Sequence, residues 1–164
     1  VSKNIKRKLM MKHLVEKFFY TEDKFGPFLI RLMAAIVIFP HGAQKLLGWF
    51  GGHGFEGTMN YMTSVAGLPW LVAFLVIIGE SIGALMLLSG VGTRFVAASH
   101  TIIMLGALKM HWANGFFMNW FGQQEGEGFE FHLLYIGMML SLFVSGAGKW
   151  SIDYLISQKN KVNN

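Results

Sequence analysis

Three ionisable residues, Arg31, Glu80 and His100, interrupt runs of sequence that are otherwise apolar. An ionised group inside such a run costs roughly 2.5–3.5 kcal/mol on insertion scales, so it is expected to face inward and pair. Arg31 with Glu80 is the natural ion pair, and His100 beside them can donate or accept a proton. The alternative is a buried pair that only fixes helix register. A second group follows Pro40. His41, Gln44 and Lys45 stand at i, i+3, i+4 spacing and so share one helical face. His111 shares a face with His100, because the interval between them is close to three helical turns. Lys109, Glu130 and His132 are nearby in the chain. An ammonium, an amide and imidazoles can hold the oxygens of a head group, and a carboxylate or imidazole can move protons. His132 and Lys109, taken singly, fit interfacial snorkelling. His41, Gln44 and Lys45, taken together, fit a site.

Several chemistries lack their residues. The sequence shows no Ser-His-Asp logic, no HExxH, no cysteine nucleophile and no Gly-rich phosphate loop after a strand. Gly51-Gly52-His53-Gly54 reads as a turn. His41 with His111 or His132 is the one pairing suited to haem, and their depth mismatch argues against it. No metal set is read. A protonatable pocket with aromatic and Met lining suits a quinone or similar polar-headed lipophile.

The elements that must position these residues follow from composition. The 164 residues are 53% hydrophobic and only 14% charged, against about 25% charged in a soluble domain, and mean hydropathy is +0.44. Disorder, a disulfide scaffold and a cysteine metal site are excluded, and a small polytopic membrane protein remains. The net charge of +5 does not indicate nucleic acid, because half of the 14 basic residues precede Phe25 and form a basic tail on an apolar body. Four stretches reach the roughly 20 apolar residues that a span needs: about 28–49, 69–88, 95–112 and 129–146. The first starts too late, runs too long and lacks the small-residue cleavage site of a signal peptide. Basic residues gather before the first span, at Arg94 and in the C-terminal tail, whereas Glu56, Glu125, Glu127 and Glu130 mark the other connections. The positive-inside rule then puts both termini in the cytoplasm of a bacterial inner-membrane, multi-pass protein.

Leu9, Met10, Met11, Leu14, Val15, Phe18 and Phe19 recur at helical spacing among Lys8, Lys12 and Lys17. They predict an amphipathic helix on an anionic membrane surface. In the first connection Met59, Met62 and Val65 predict a short interfacial helix. Phe116, Phe117, Trp120 and Phe121 in the third suit an interfacial belt or re-entrant lid. Gly79 with Gly83, and Gly137 with Ser141 and Ser145, are small-residue patterns that suit close helix packing or a dimer face. No internal repeat is found.

Larger blocks carry a resemblance. Arg31 is followed by His41-Gly42-Ala43-Gln44-Lys45-Leu46, then Gly48-Trp49-Phe50-Gly51-Gly52. Gly67-Leu68-Pro69 opens the second span, Glu80 lies in it, and Gly90-Val91-Gly92-Thr93-Arg94 follows. His111-Trp112-Ala113-Asn114-Gly115-Phe116-Phe117 ends the third. Glu130 opens the fourth, and Gly146-Ala147-Gly148-Lys149-Trp150-Ser151-Ile152-Asp153 closes it. On these residues, over about 28–153, the chain resembles the DoxX family of small bacterial membrane proteins. The resemblance implies a four-helix transmembrane fold. It also implies a redox and quinone neighbourhood, since some members are linked to thiosulfate:quinone oxidoreduction as membrane subunits and others to thiol, oxidative, catechol or quinone stress. Having no cysteine, this chain cannot itself carry a sulfane or disulfide intermediate.

The expected architecture is an all-α membrane protein, a four-transmembrane-helix bundle with an N-terminal amphipathic interfacial helix. Residues 1–26 form a basic cytoplasmic segment, 27–153 the DoxX-like domain and 154–164 a cytoplasmic tail. The expected function is a redox-associated membrane subunit, a quinone-linked oxidoreductase component, that binds a quinone-like lipophile. Glu80, His100 and Arg31 would form its internal relay, and His41, Gln44, Lys45, His111 and Glu130 its binding pocket. The alternatives are a scaffold tethering a soluble redox partner, and a small-molecule or proton carrier. Expected partners are the bilayer, that redox protein and a second copy of the chain, with no nucleic acid.

Overall fold

A computed structural model describes residues 2–162, all of whose regular elements are helical. The side chains of Leu9 and Lys161, and residues 163–164 of the predicted tail, lie outside the described residues. Helix α1 spans Ser2–Phe19, α2 Phe25–Leu47, α3 Gly54–Asn60, α4 Trp70–Ser89, α5 Thr93–His111, α6 Glu130–Ser145 and α7 Ile152–Val162. The punctuation is local. Pro27 sits in the first turn of α2, where its missing N–H costs nothing. Left-handed Gly48 (φ 73°) and Gly90 (φ 68°) close α2 and α4, a conformation that a β-carbon would strain.

Helices α2 and α4 form one close pair and α5 and α6 another. Small residues allow the first pairing. A β-carbon on Gly42 would collide with the backbone of Glu80 and Ser81, and Ser81 Oγ donates to the Gly42 carbonyl at 3.1 Å. The main core lies where the pairs meet. Ala34, Ala35 and Ile38 pack with Ala84, Leu87, Val96, Ala97, Met104, Tyr135, Met139 and Leu142. A smaller cluster of Met59, Ala73 and Ile77 seats α3. The short helix predicted in the first connection is therefore present, with Met59 buried and Val65 exposed beyond it.

Outward faces stay apolar. Leu75, Ile82, Leu85, Ile102, Leu105, Leu134, Leu140 and Val144 are all exposed, far more contiguous apolar surface than water tolerates. Helices α2 and α4 are each long and apolar enough to cross a membrane, whereas α6 is apolar but only 16 residues long. Of the small-residue patterns, Gly79 and Gly83 face α5, meeting Ile103 and His100. Gly137 and Ser141 instead point away from the core.

Candidate functional site

The polar residues separate into two groups at opposite ends of the long helices. At the end that carries both termini, Arg31 is 1% exposed, lies over the Phe28 ring and donates to carbonyls. Its Nε donates to Ala147 (3.2 Å), Nη1 to Leu87 (2.7 Å) and Leu88 (2.6 Å), and Nη2 to Lys149 (3.3 Å) and Trp150 (2.9 Å). These carbonyls belong to the last turn of α4 and to the loop after α6, where intrahelical partners run out. The predicted Arg31–Glu80 ion pair is not formed. The antiparallel register sets Arg31 against residues 87 and 88 of α4, and Glu80 lies about 10 Å back along the helix at 1.5 Å per residue.

Two further side chains complete this end. Asp153 accepts from Gly92 N–H (2.8 Å) and Thr93 N–H (2.9 Å), capping α5 from α7. Burial pushes its carboxyl above the ordinary carboxylate range, while those two amides and Arg94 pull the other way. Arg94 donates to Phe143 and Val144 at the end of α6, and to Phe18 and Tyr20 at the end of α1. Sequence reasoning counted Arg94 only as a topology charge and gave Asp153 no role. The signal available was Ser151, whose Oγ accepts from Tyr154 N–H as the N-cap of α7.

At the far end the charges meet each other. Lys45 Nζ of α2 lies 2.5 Å from Glu80 Oε2 of α4, with the carboxylate side chain 7% and the lysine 25% exposed. Next to Glu80, the Gly79 carbonyl accepts from His100 of α5, which bonds in turn to Tyr135 of α6. All four long helices thus contribute. Rings connect them. His41 lies 6.4 Å from Phe131, Phe131 5.9 Å from Tyr135, and Tyr135 5.9 Å from His100. His132 stacks on His111 at 4.9 Å.

These groups differ in how committed they are. His100 Nε2 donates to the Gly79 carbonyl at 2.9 Å, so Nδ1 accepts from Tyr135 O–H, also at 2.9 Å. Both nitrogens are occupied, and the ring fits only because position 83 is glycine. Gln44 donates to the Phe50 carbonyl and pins the turn after α2, in which Phe50 is left-handed (φ 53°). His111 donates to the Glu127 carbonyl (3.0 Å), and Glu130 accepts from Met118 N–H (3.1 Å). Both hold the connection at 113–128, whose Phe117, Trp120 and Phe121 are strongly exposed. Lys45 and Glu80 bond only to each other. His41 makes ring contact with Phe131, and buried Nδ1 of His132 completes no hydrogen bond. Tyr135 and His132 are the members that the sequence had not singled out for function. No cluster of three metal-ligating side chains occurs among the described residues.

The DoxX family model matches residues 26–120. A "Putative oxidoreductase CatD" of Bacillus subtilis is 31% identical over 83 residues, 51% of this chain and 57% of that protein. An "Uncharacterized protein" of Haemophilus influenzae is 30% identical over 133 residues, 79% of this chain and 82% of that protein. No solved structure matches the chain.

Proposed function

The chain belongs to the DoxX family, and from that premise we propose that it is a multi-pass membrane protein binding a quinone-like lipophile at the Lys45–Glu80 pair. All four long helices cross the bilayer in this reading. The tryptophans support it. Trp49, Trp70, Trp112 and Trp120 mark the far end and Trp150 the termini end, as interfacial belts do. All are more than half exposed. In this reading the termini end faces the cytoplasm, which the basic residues of α1 and the tail favour, and α1 lies on that leaflet.

The observation that carries the binding site is an ion pair joining two apolar helices, at the same end as the His41 ring on Phe131 and a buried His132 Nδ1 that completes no hydrogen bond. A purely structural pair needs no such neighbours. The donor set fits a quinone. The Lys45 ammonium and the two imidazoles can donate to head-group oxygens, and Glu80 can hold a proton next to them. A bound quinone supplies two-electron, two-proton carrier chemistry. The chain's part is to orient the head group, exclude water and exchange protons at Glu80 Oε2. Arg31 and His100 act as positioning residues, because backbone and ring partners already occupy their donors and acceptors, and Gln44 acts likewise by holding the Phe50 carbonyl. The printed name of the Bacillus subtilis relative supports a redox-associated role.

The test is quinone binding to the purified protein, read by tryptophan quenching, beside His41→Ala and Glu80→Gln. Affinity is expected to fall at least about tenfold in each variant, or about 1.4 kcal/mol. Equal binding by all three proteins overturns the assignment. A second reading, a scaffold for a soluble redox protein, is favoured by one observation: Arg94 holds α1 at a fixed angle with its basic side chains exposed. Capture that needs residues 1–24 but not His41 would support it.

A further inference from the structure

We propose that the far half of the seam between α2 and α6 is the mouth of this site and opens sideways into the bilayer, so that the ligand arrives dissolved in lipid, not from water. This rests on the lipophile-site reading above. The two close helix pairs meet along two seams, and the seams are built differently. Between α4 and α5, His100 stitches the helices with a bond to the Gly79 carbonyl and its ring seated over Gly83. Parting that seam would break this bond and leave a buried imidazole N–H without its acceptor.

Between α2 and α6, the termini end is closed by Arg31 on the Ala147 carbonyl and by Ala34, Ala35 and Ile38 in the shared core. Toward the far end the His41 ring meets the Phe131 ring, centroids 6.4 Å apart at 42°. No hydrogen bond accompanies that contact. Side-chain rotation, a ps–ns motion in accessible side chains, separates the rings without breaking a backbone bond. Next to Phe131 are the rings of Tyr135 and His132, at 5.9 Å and 5.8 Å, and Lys45, one turn from His41 on α2, holds Glu80. The lips below the rings are apolar and outward-facing: Val37, one turn from His41, is 42% exposed, and Leu134, one turn from Phe131, is 67% exposed. Apolar lips with a polar floor select a molecule with an apolar body and a polar head.

The absence of cysteine makes a direct test clean. Phe131→Cys, reconstituted in lipid nanodiscs, is treated with pyrene maleimide or with a sulfonated, membrane-impermeant maleimide. Val144→Cys (79% exposed, on the apolar face of α6) and Trp120→Cys (76% exposed, in the 113–128 connection) calibrate lipid and water access. The Phe131→Cys thiol is expected to prefer the pyrene reagent at least about tenfold, as the Val144→Cys thiol does, and a decyl-tailed quinone is expected to slow that reaction severalfold. Leu134→Cys, at the lip, is the second reporter should Phe131→Cys fail to give a monodisperse protein. Labelling by the sulfonated reagent at the Trp120→Cys rate, or no labelling by either reagent, overturns the lateral mouth. Lipid-type labelling without protection by quinone keeps the mouth and counts against the quinone reading alone.

Discussion

The two ends of this molecule use charge in opposite ways. At the termini end, Arg31, Arg94 and Asp153 direct almost all their bonds to backbone groups left over at helix ends. At the far end, Lys45 and Glu80 bond to each other, His41 makes a ring contact with Phe131, and the buried Nδ1 of His132 completes no hydrogen bond. A charge bound to several carbonyls or amides cannot be released without orphaning them. A side-chain pair can open toward a ligand and close again. The difference separates a latch from a site, although both consist of ionisable residues within or beside apolar helices.

The largest effect that tests this contrast is expected at the latch. Arg31→Leu leaves up to five carbonyls without their donor, each worth about 1–3 kcal/mol when buried, a sum comparable with a whole domain's stability of about 5–15 kcal/mol. No monodisperse protein is expected on size exclusion. Arg31→Lys, with fewer donors, is expected to fold with a lowered Tm. A folded, fully stable Arg31→Leu protein would erase the distinction between the ends.

The next effect is at the pair. Lys45→Met strands the Glu80 carboxylate, and breaking a buried pair costs about 3–5 kcal/mol. The figure is lower here, because the lysine side chain is 25% exposed. The double variant Lys45→Met with Glu80→Gln removes both charges and is expected to regain most of the lost Tm while still failing to bind quinone. Recovery of binding together with stability would make the pair structural.

Asp153→Asn is expected to cost about 1 kcal/mol as a weakened helix cap. Its pH dependence sharpens the comparison further. The carboxyl titrates above its ordinary value of 3.8 in the folded protein, so on acidification the folded state takes up this proton before the unfolded state does. The contribution to stability is therefore greatest below the unfolded value and declines as pH rises through the folded one. Subtracting the Tm–pH curve of Asp153→Asn from that of wild type should show that decline. The smallest stability effect is expected for His41→Ala. Its Tm change corresponds to about 0.5 kcal/mol or less, while affinity for quinone falls. A large Tm loss there would move His41 to the structural group.

Much of the fold was legible because solvent preference is a property of composition. Apolar stretches and the Met59–Met62 face follow from chemistry along one segment. The candidate site was only half legible. His41, Lys45 and Glu80 stand out as polar residues in apolar runs, and that identified them. The pairing of Glu80 was misread, because pairing depends on antiparallel register, and Gly42 against Glu80 sets that register through a contact between helices. Tyr135 gave no signal, since a tyrosine in an apolar helix reads as core until His100 is seen beside it. Arg31 gave a misleading one, since a lone sequence does not show the carbonyls that five donors will meet.

The sequence by itself determined that this chain is helical, belongs in a membrane and carries a few ionisable groups that hydrocarbon would not tolerate unpaired. Those are consequences of side-chain chemistry and of spacing within single helices. Only the tertiary structure decided which of those groups are held by the backbone and which pair with each other. That decision rests on the close approach of α2 to α4 at Gly42 and on the loop after α6 folding back over Arg31. Both are contacts between segments far apart in the chain, which local chemistry permits but does not specify.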